Sequence, residues 1–160
     1  MFTRCVCFVA LLAVVVLGSS RAAEDEDIKK EMKKMEGTWQ MVSLENEGSD
    51  VLAKEELAKN AIHLTVKGDT FKVADSGETY AEGTFKIVEV KGKIRKNDLT
   101  YTKPTDWGKK PVPQLAEWID DDTFRVVVPD PTSKEVKRPT EFSAKKGSSQ
   151  ILAVYKRVKK

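Results

Sequence analysis

The stretch from Ile62 to Val73 constrains the fold most. Ile62, Leu64 and Val66 alternate with His63, Thr65 and Lys67, a Gly68-Asp69 turn follows, and Phe71 and Val73 then flank Lys72. A period of two places the apolar members of both runs on one face, so this stretch predicts a hairpin with one buried side. The same style recurs along the chain. Strands are expected near Thr38 to Glu45, Thr79 to Val90, Asp98 to Thr102, Leu115 to Ile119, Thr123 to Val128 and Gln150 to Val158, which with the hairpin pair make eight. Thr140 to Ser143 offers a short extra strand.

All six prolines fall within Pro104 to Pro113 and Pro129 to Pro139, two stretches expected to be loops, where a missing N–H spoils no ladder. Many short strands joined by tight turns predict an all-β, antiparallel architecture, either a closed barrel or a two-sheet sandwich. In the last strand Ile151 to Tyr155 are apolar on both faces, which suits a strand buried on both sides or covered outside by a helix. Such a helix is expected from Glu26 to Glu36, capped by Asp25 and stopped by Gly37, with Ile28, Met32 and Met35 on one face. The acidic run Glu24 to Asp27 would form its first turn, against the positive end of the helix dipole. A brief helical turn is expected around Lys54 to Asn60.

Before the helix, Arg4 is followed by thirteen uncharged, largely apolar residues, Cys5 to Leu17, and then by Gly18-Ser19-Ser20. This has the outline of a secretory signal peptide. The run is shorter than the roughly 20 residues a spanning helix needs, so residues 1–22 are expected to be removed by a cut after Ala22, leaving one domain over residues 23–160 and no membrane span. Both cysteines, Cys5 and Cys7, would leave with the leader, which removes thiol catalysis, disulfides and thiolate metal sites together. No cysteine between Gly18 and Ala23 offers a lipid anchor. The expected product is soluble and exported, in the periplasm or outside the cell, and a monomer. Losing Arg4 and Arg21 leaves 26 basic against 25 acidic residues, a balance with no footprint for nucleic acid. Lys156, Arg157, Lys159 and Lys160 make a small basic tip that reads as a solvated strand end.

Little in the mature chain points to catalysis. His63, the single histidine, sits in the polar phase of its strand and is expected to face solvent, without the pocket and partner a general base requires. Asp120-Asp121-Asp122 reads as a hairpin tip, because calcium sites recruit ligands from a longer loop of defined spacing. There is no nucleophile elbow, phosphate-binding glycine loop or zinc pair. No catalytic, metal-binding or cofactor-binding residue is therefore singled out, and a carboxylate-based hydrolase or isomerase ranks last. Trp118 lies on a strand and is assigned to packing. Trp107, beside Gly108 in a proline-rich loop, is the candidate for contact with a ligand or partner, as a lid or a stacking platform.

Two ends of the chain carry a resemblance. Gly37-Thr38-Trp39-Gln40 after a short helix, together with Lys156-Arg157 ending the last strand, resembles the lipocalin-like, or calycin, arrangement. That resemblance implies an up-and-down barrel of eight strands, with Trp39 at the closed end and Arg157, or alternatively Lys156, packed across it as a structural clasp. The run Arg138-Pro-Thr-Glu-Phe-Ser-Ala-Lys-Lys-Gly147 followed by Gln150-Ile-Leu-Ala-Val-Tyr-Lys-Arg157, with the Lys67 to Val73 hairpin, is similar to a lipocalin-like paralogous family of exported planctomycete proteins of unknown function. Asp121 stands where that family usually has glycine, which puts the turn type in question.

Two functions follow from such a barrel. It can carry a small apolar or amphipathic ligand, or its own side chains can fill it. In the second case it would be a cell-envelope module binding protein or glycan through an exposed apolar patch around Trp107. The side chains expected inside are Ile62, Leu64, Val66, Phe71, Val73, Phe124, Val126, Leu152 and Val154.

Overall fold

The computed structural model describes residues 19–50, 57, 61–107, 110–133 and 135–159. Helix α1 (Ser19–Met35) leads into strands β1 (Gly37–Asn46), β2 (Ser49–Asp50), β3 (His63–Lys67), β4 (Thr70–Asp75), β5 (Glu78–Lys91), β6 (Ile94–Lys103), β7 (Val112–Asp120), β8 (Thr123–Pro129) and β9 (Gln150–Arg157). From β3 to β9 each strand pairs with the next, β1 pairs with β3, and β9 returns to β1. The two-residue β2 is a spur on β1, so eight antiparallel strands close into an up-and-down, lipocalin-like barrel. Closure pairs both edges of the sheet, and this selects the barrel over the sandwich.

The hairpin expected over residues 62–73 forms β3 and β4, in register from His63 opposite Ala74 to Lys67 opposite Thr70. Gly68 turns it with a φ of 57°, a conformation glycine adopts without penalty. Its apolar members Leu64, Val66, Phe71 and Val73 are buried.

Several expectations are corrected. Strand β6 begins at Ile94 rather than Asp98, and β7 begins at Val112, so Pro113 lies in a strand. Pro113 is paired with Asp98 of β6 but precedes Leu115, the first β7 residue paired with β8, so β8 asks no N–H of it. Residues 140–143 form no strand. They belong to a long excursion, residues 130–149, tied at its base by Asp130 N donating to Ser149 O at 2.7 Å. Asp25 does not cap a helix. The chain is already helical at Ser19, the first described residue, so Glu24 to Asp27 lie within α1 rather than at its start. The leader through Gly18 and the turn expected at Lys54 to Asn60 lie outside the described residues, apart from Leu57, which is buried in the core.

The last strand is displaced by one step from its expected phase. Ile151, Ala153 and Tyr155 face the interior, so Leu152 and Val154 face outward. Leu152 is in register with Val127, which is in register with Leu115, forming an apolar row on the outer wall. The 130–149 excursion covers that wall rather than a helix. Phe142 stacks on Arg125 at 4.3 Å, Ala144 is fully buried, and Ala144 O accepts from Gly48 N in the β1–β2 turn.

Helix α1 lies across one end of the barrel, beside the β3–β4, β5–β6 and β7–β8 turns. Ile28 and Met32 pack on the core and Met35 reaches the interior. At the other end stand the 104–111 loop, the β4–β5 turn and the excursion.

Candidate functional site

The barrel is not filled. An internal cavity of about 300 Å³ runs from Met35 at the helix-closed end to Tyr80 and Trp107 at the open end. Its wall is mainly aliphatic and aromatic, including Leu64, Phe71, Val73, Phe85, Leu99 and Val126. Among the described residues no charged side chain lines it; the polar contributions are Asn97, Gln114 and the phenols of Tyr80, Tyr101 and Tyr155. Strand alternation puts them there, since Asn97, Leu99 and Tyr101 are successive inward positions of β6.

Trp107 closes a single 3₁₀ turn, Thr105–Trp107, at the cavity mouth. Its indole meets the Tyr101 ring edge-on with centroids 4.9 Å apart, and Tyr101 meets Phe71 in the same way at 5.4 Å. Such edge-to-face pairs place a positive ring edge on a negative face. Trp107 is thus half-buried and inward-packed, with its flank on the cavity. The phenols near it are hard to ionise. Burial, then the Asp75 charge, pushes Tyr80 up to about 12. Burial and the neighbouring Tyr80 push Tyr101 higher still, and burial foremost, then Tyr80 and Tyr101, raises Tyr155.

The remaining tryptophans lie below the cavity floor. Trp39 is fully buried and donates its indole N–H to Met35 O at 2.9 Å, while the Arg157 guanidinium stands 3.9 Å over its ring. Arg157 also donates to Lys34 O at 2.8 Å and Glu36 O at 2.9 Å, carbonyls that the end of α1 leaves without helical partners. A Cβ on Gly37 would come within 3.2 Å of Arg157 Nη1, so the glycine makes room for the arginine beside the tryptophan. Lys156 points outward and is exposed, which makes Arg157 the base of the clasp. Trp118 faces inward at the same end, 5.7 Å from Trp39 and between two cations, Arg95 at 4.2 Å and Lys34 at 4.3 Å.

His63 is half-buried in β3, in register with Gln40 and Ala74 and outside the cavity wall. The three aspartates of the β7–β8 turn are each engaged. Asp120 Oδ1 accepts from Asp122 N at 2.8 Å, Asp121 meets Lys34 at 3.1 Å, and Asp122 meets Arg157 at 3.2 Å. The positive-φ residues other than glycine are Glu47, Ser76 and Ser149 among those described, so this turn has no need of a glycine at Asp121.

Sequence reasoning missed Arg95, Asn97, Gln114, Glu31 and the three tyrosines. Arg95 is fully buried. It donates from Nη1 to Glu31 Oε2 at 2.9 Å, and that oxygen also accepts from Trp118 Nε1 at 2.7 Å. The remaining Arg95 donors, Nε and Nη2, have no partner among the described residues, leaving the aromatic faces of Trp118 and Phe124 to hold the cation. A signal for these residues existed. Carrying the phase of Leu99 and Tyr101 back two and four residues reaches Asn97 and Arg95, but Lys96-Asn97-Asp98 has the composition of a turn, so the expected strand began too late, at Asp98.

No protein-family model matches the chain, and no curated protein matches it.

Proposed function

We propose that this is an exported carrier whose barrel holds one small apolar or amphipathic molecule, admitted past Trp107. The cavity carries the reading. An apolar enclosure of about 300 Å³ lies at the lower end of the range of small-molecule sites, and it is lined by a few polar groups that can fix an orientation. An envelope-interaction module would instead call for a filled barrel and an exposed apolar patch at Trp107, whereas Trp107 packs inward on Tyr101. Binding rather than catalysis is supported by the uncharged wall, which offers no described acid or base to a bound molecule.

Export is proposed from the apolar run Cys5 to Leu17 and the small residues after it. A cut after Ala22 would shorten α1 so that Glu24 to Asp27 become its first turn, where acidic side chains are favoured. The resemblance of residues 138–157 to exported planctomycete lipocalin-like proteins is consistent with that destination.

The test is native mass spectrometry of the protein purified gently from its own envelope fraction, before and after organic extraction. A reproducible adduct that extraction removes is the expected outcome. A bare mass in both spectra, with no uptake of an added apolar probe, would refute the carrier reading. With a ligand in hand, Trp107→Ala should speed its release while leaving the fold intact.

A further inference from the structure

The deep half of the cavity contains one built polar feature. Asn97 of β6 and Gln114 of β7 are cross-strand partners, both line the cavity, and Asn97 Nδ2 donates to Gln114 Oε1 at 2.7 Å. Asn97 is 2% exposed, yet its Oδ1 has no partner among the described residues. A buried amide oxygen left unpaired is costly, so it calls for a hydrogen-bonding guest. The pair is also held from behind. Arg138 reaches in from the outer excursion and donates to the backbone carbonyls of both residues, Asn97 O and Gln114 O, each at 2.8 Å, with Asp98 as its counter-ion. Two backbone positions pinned by one guanidinium nitrogen, Arg138 Nη1, give the amides a fixed geometry, as a preorganised site requires.

We infer that the carried molecule has an uncharged, hydroxyl-bearing head that docks on the Asn97–Gln114 amide pair, with an unbranched or flat apolar body filling the cavity toward Tyr101. The inference rests on the carrier reading. A hydroxyl both donates and accepts, so it can pair with either end of an amide. An ionised carboxylate would place its charge against the Asn97 carbonyl oxygen in a wall without charged side chains among the described residues, where an unpaired ion is strongly disfavoured. Arg95, the next inward position toward the floor, is outside the cavity wall and committed to Glu31 and Trp118. Size follows from the geometry. Asn97 and Tyr101 are four residues apart on β6, about 13 Å at about 3.3 Å per residue. A volume of about 300 Å³ stands at the lower end of small-molecule sites, which limits the guest to a small body.

The purified protein is titrated with n-octanol, n-octyl chloride and octanoate at about pH 8, where the carboxylate is ionised, and binding is followed by heteronuclear NMR. The alcohol is expected to bind about five- to tenfold more tightly than the chloride, the difference carried by about one net hydrogen bond, and at least about tenfold more tightly than octanoate. Asn97→Leu should abolish the preference for alcohol over chloride while retaining chloride binding. Asn97→Val, whose β-branched side chain suits a strand, gives the same readout if Asn97→Leu does not fold. Equal affinity for alcohol and chloride, or an alcohol preference surviving in the folded variants, overturns the head-group assignment and leaves the carrier reading standing. Tighter binding of octanoate overturns it as well and moves the polar contact to Arg95. Failure of all three probes to bind overturns both proposals.

Discussion

Replacing Arg157 tests the arrangement that joins the first strand, the last strand and the helix. Its four contacts make three contributions, the two carbonyl bonds being taken together. Its guanidinium lies 3.9 Å over the fully buried Trp39 ring while the side chain stays partly exposed, a cation–π contact of about 1 to 2 kcal/mol. Its bonds to Lys34 O and Glu36 O, at 2.8 and 2.9 Å, are charge-assisted and cap the helix C-terminus. Water can reach the Glu36 carbonyl once the side chain is gone, so the pair contributes about 1 to 2 kcal/mol rather than the full value of two such bonds. The ion pair with Asp122 is 3.2 Å long, with the acid 40% exposed, and contributes only a few tenths of a kcal/mol. Arg157→Ala should therefore lower the unfolding free energy by about 3 kcal/mol. Arg157→Lys should lose about half of that, because one ammonium cannot stack and bridge two carbonyls at once. Asp122→Asn should cost less than about 0.5 kcal/mol. Urea unfolding followed by tryptophan fluorescence and by far-ultraviolet circular dichroism measures all three. A loss below about 1 kcal/mol for Arg157→Ala, or an Asp122→Asn loss as large as that of the alanine variant, would refute the clasp and leave a simple surface ion pair.

Three further outcomes are expected. Gly83→Ala should destabilise the barrel by about 3 kcal/mol in the same assay, because a Cβ there would overlap the Thr100 backbone carbonyl across the β5–β6 bulge and backbone cannot give way as a side chain does; a near-neutral result would mean the two strands can separate freely. Glu31→Gln should cost about 3 kcal/mol by leaving the fully buried Arg95 without its counter-charge, and adding Arg95→Met should recover stability, an outcome contradicted if the double variant is the less stable. Burial raises Tyr101 and Tyr155, and with less weight the half-exposed Tyr80, so the stability these phenols contribute is complete below the ordinary phenol value of about 10 and is lost as pH climbs from there through the raised folded values. Tyrosinate absorbance should accordingly rise together with loss of tertiary fluorescence above about pH 10, whereas titration of all three phenols near 10 in an intact fold would contradict the burial argument.

The hairpin over residues 62–73 was legible because Gly68-Asp69 and strict alternation are local properties, set within a few residues by φ preference and side-chain direction. Trp39 and Arg157 were placed at the closed end by the resemblance of the chain's two ends to a lipocalin-like arrangement, and not by any local pattern. The cavity was not legible. Whether inward side chains meet or leave space depends on strand tilt and stagger around the closed sheet, and no segment encodes that alone. The phase of β9 shows the limit most sharply. Ile151 to Tyr155 are apolar at every position, so alternation could not choose a face, and the choice fell to the closing register with β1, which sets Tyr155 opposite Met41 and turns Leu152 outward under the 130–149 excursion. Asn97 and Arg95 were hidden for the opposite reason. Polar residues in a turn-like run read as solvent-facing until the β6–β7 register carries them inside, where Gln114, Arg138 and Glu31 arrive from distant parts of the chain to partner them. By itself the sequence determined most of the strands and most of their faces. The tertiary structure decided the empty volume and its one polar foothold, because both are made by residues that meet only when the sheet closes.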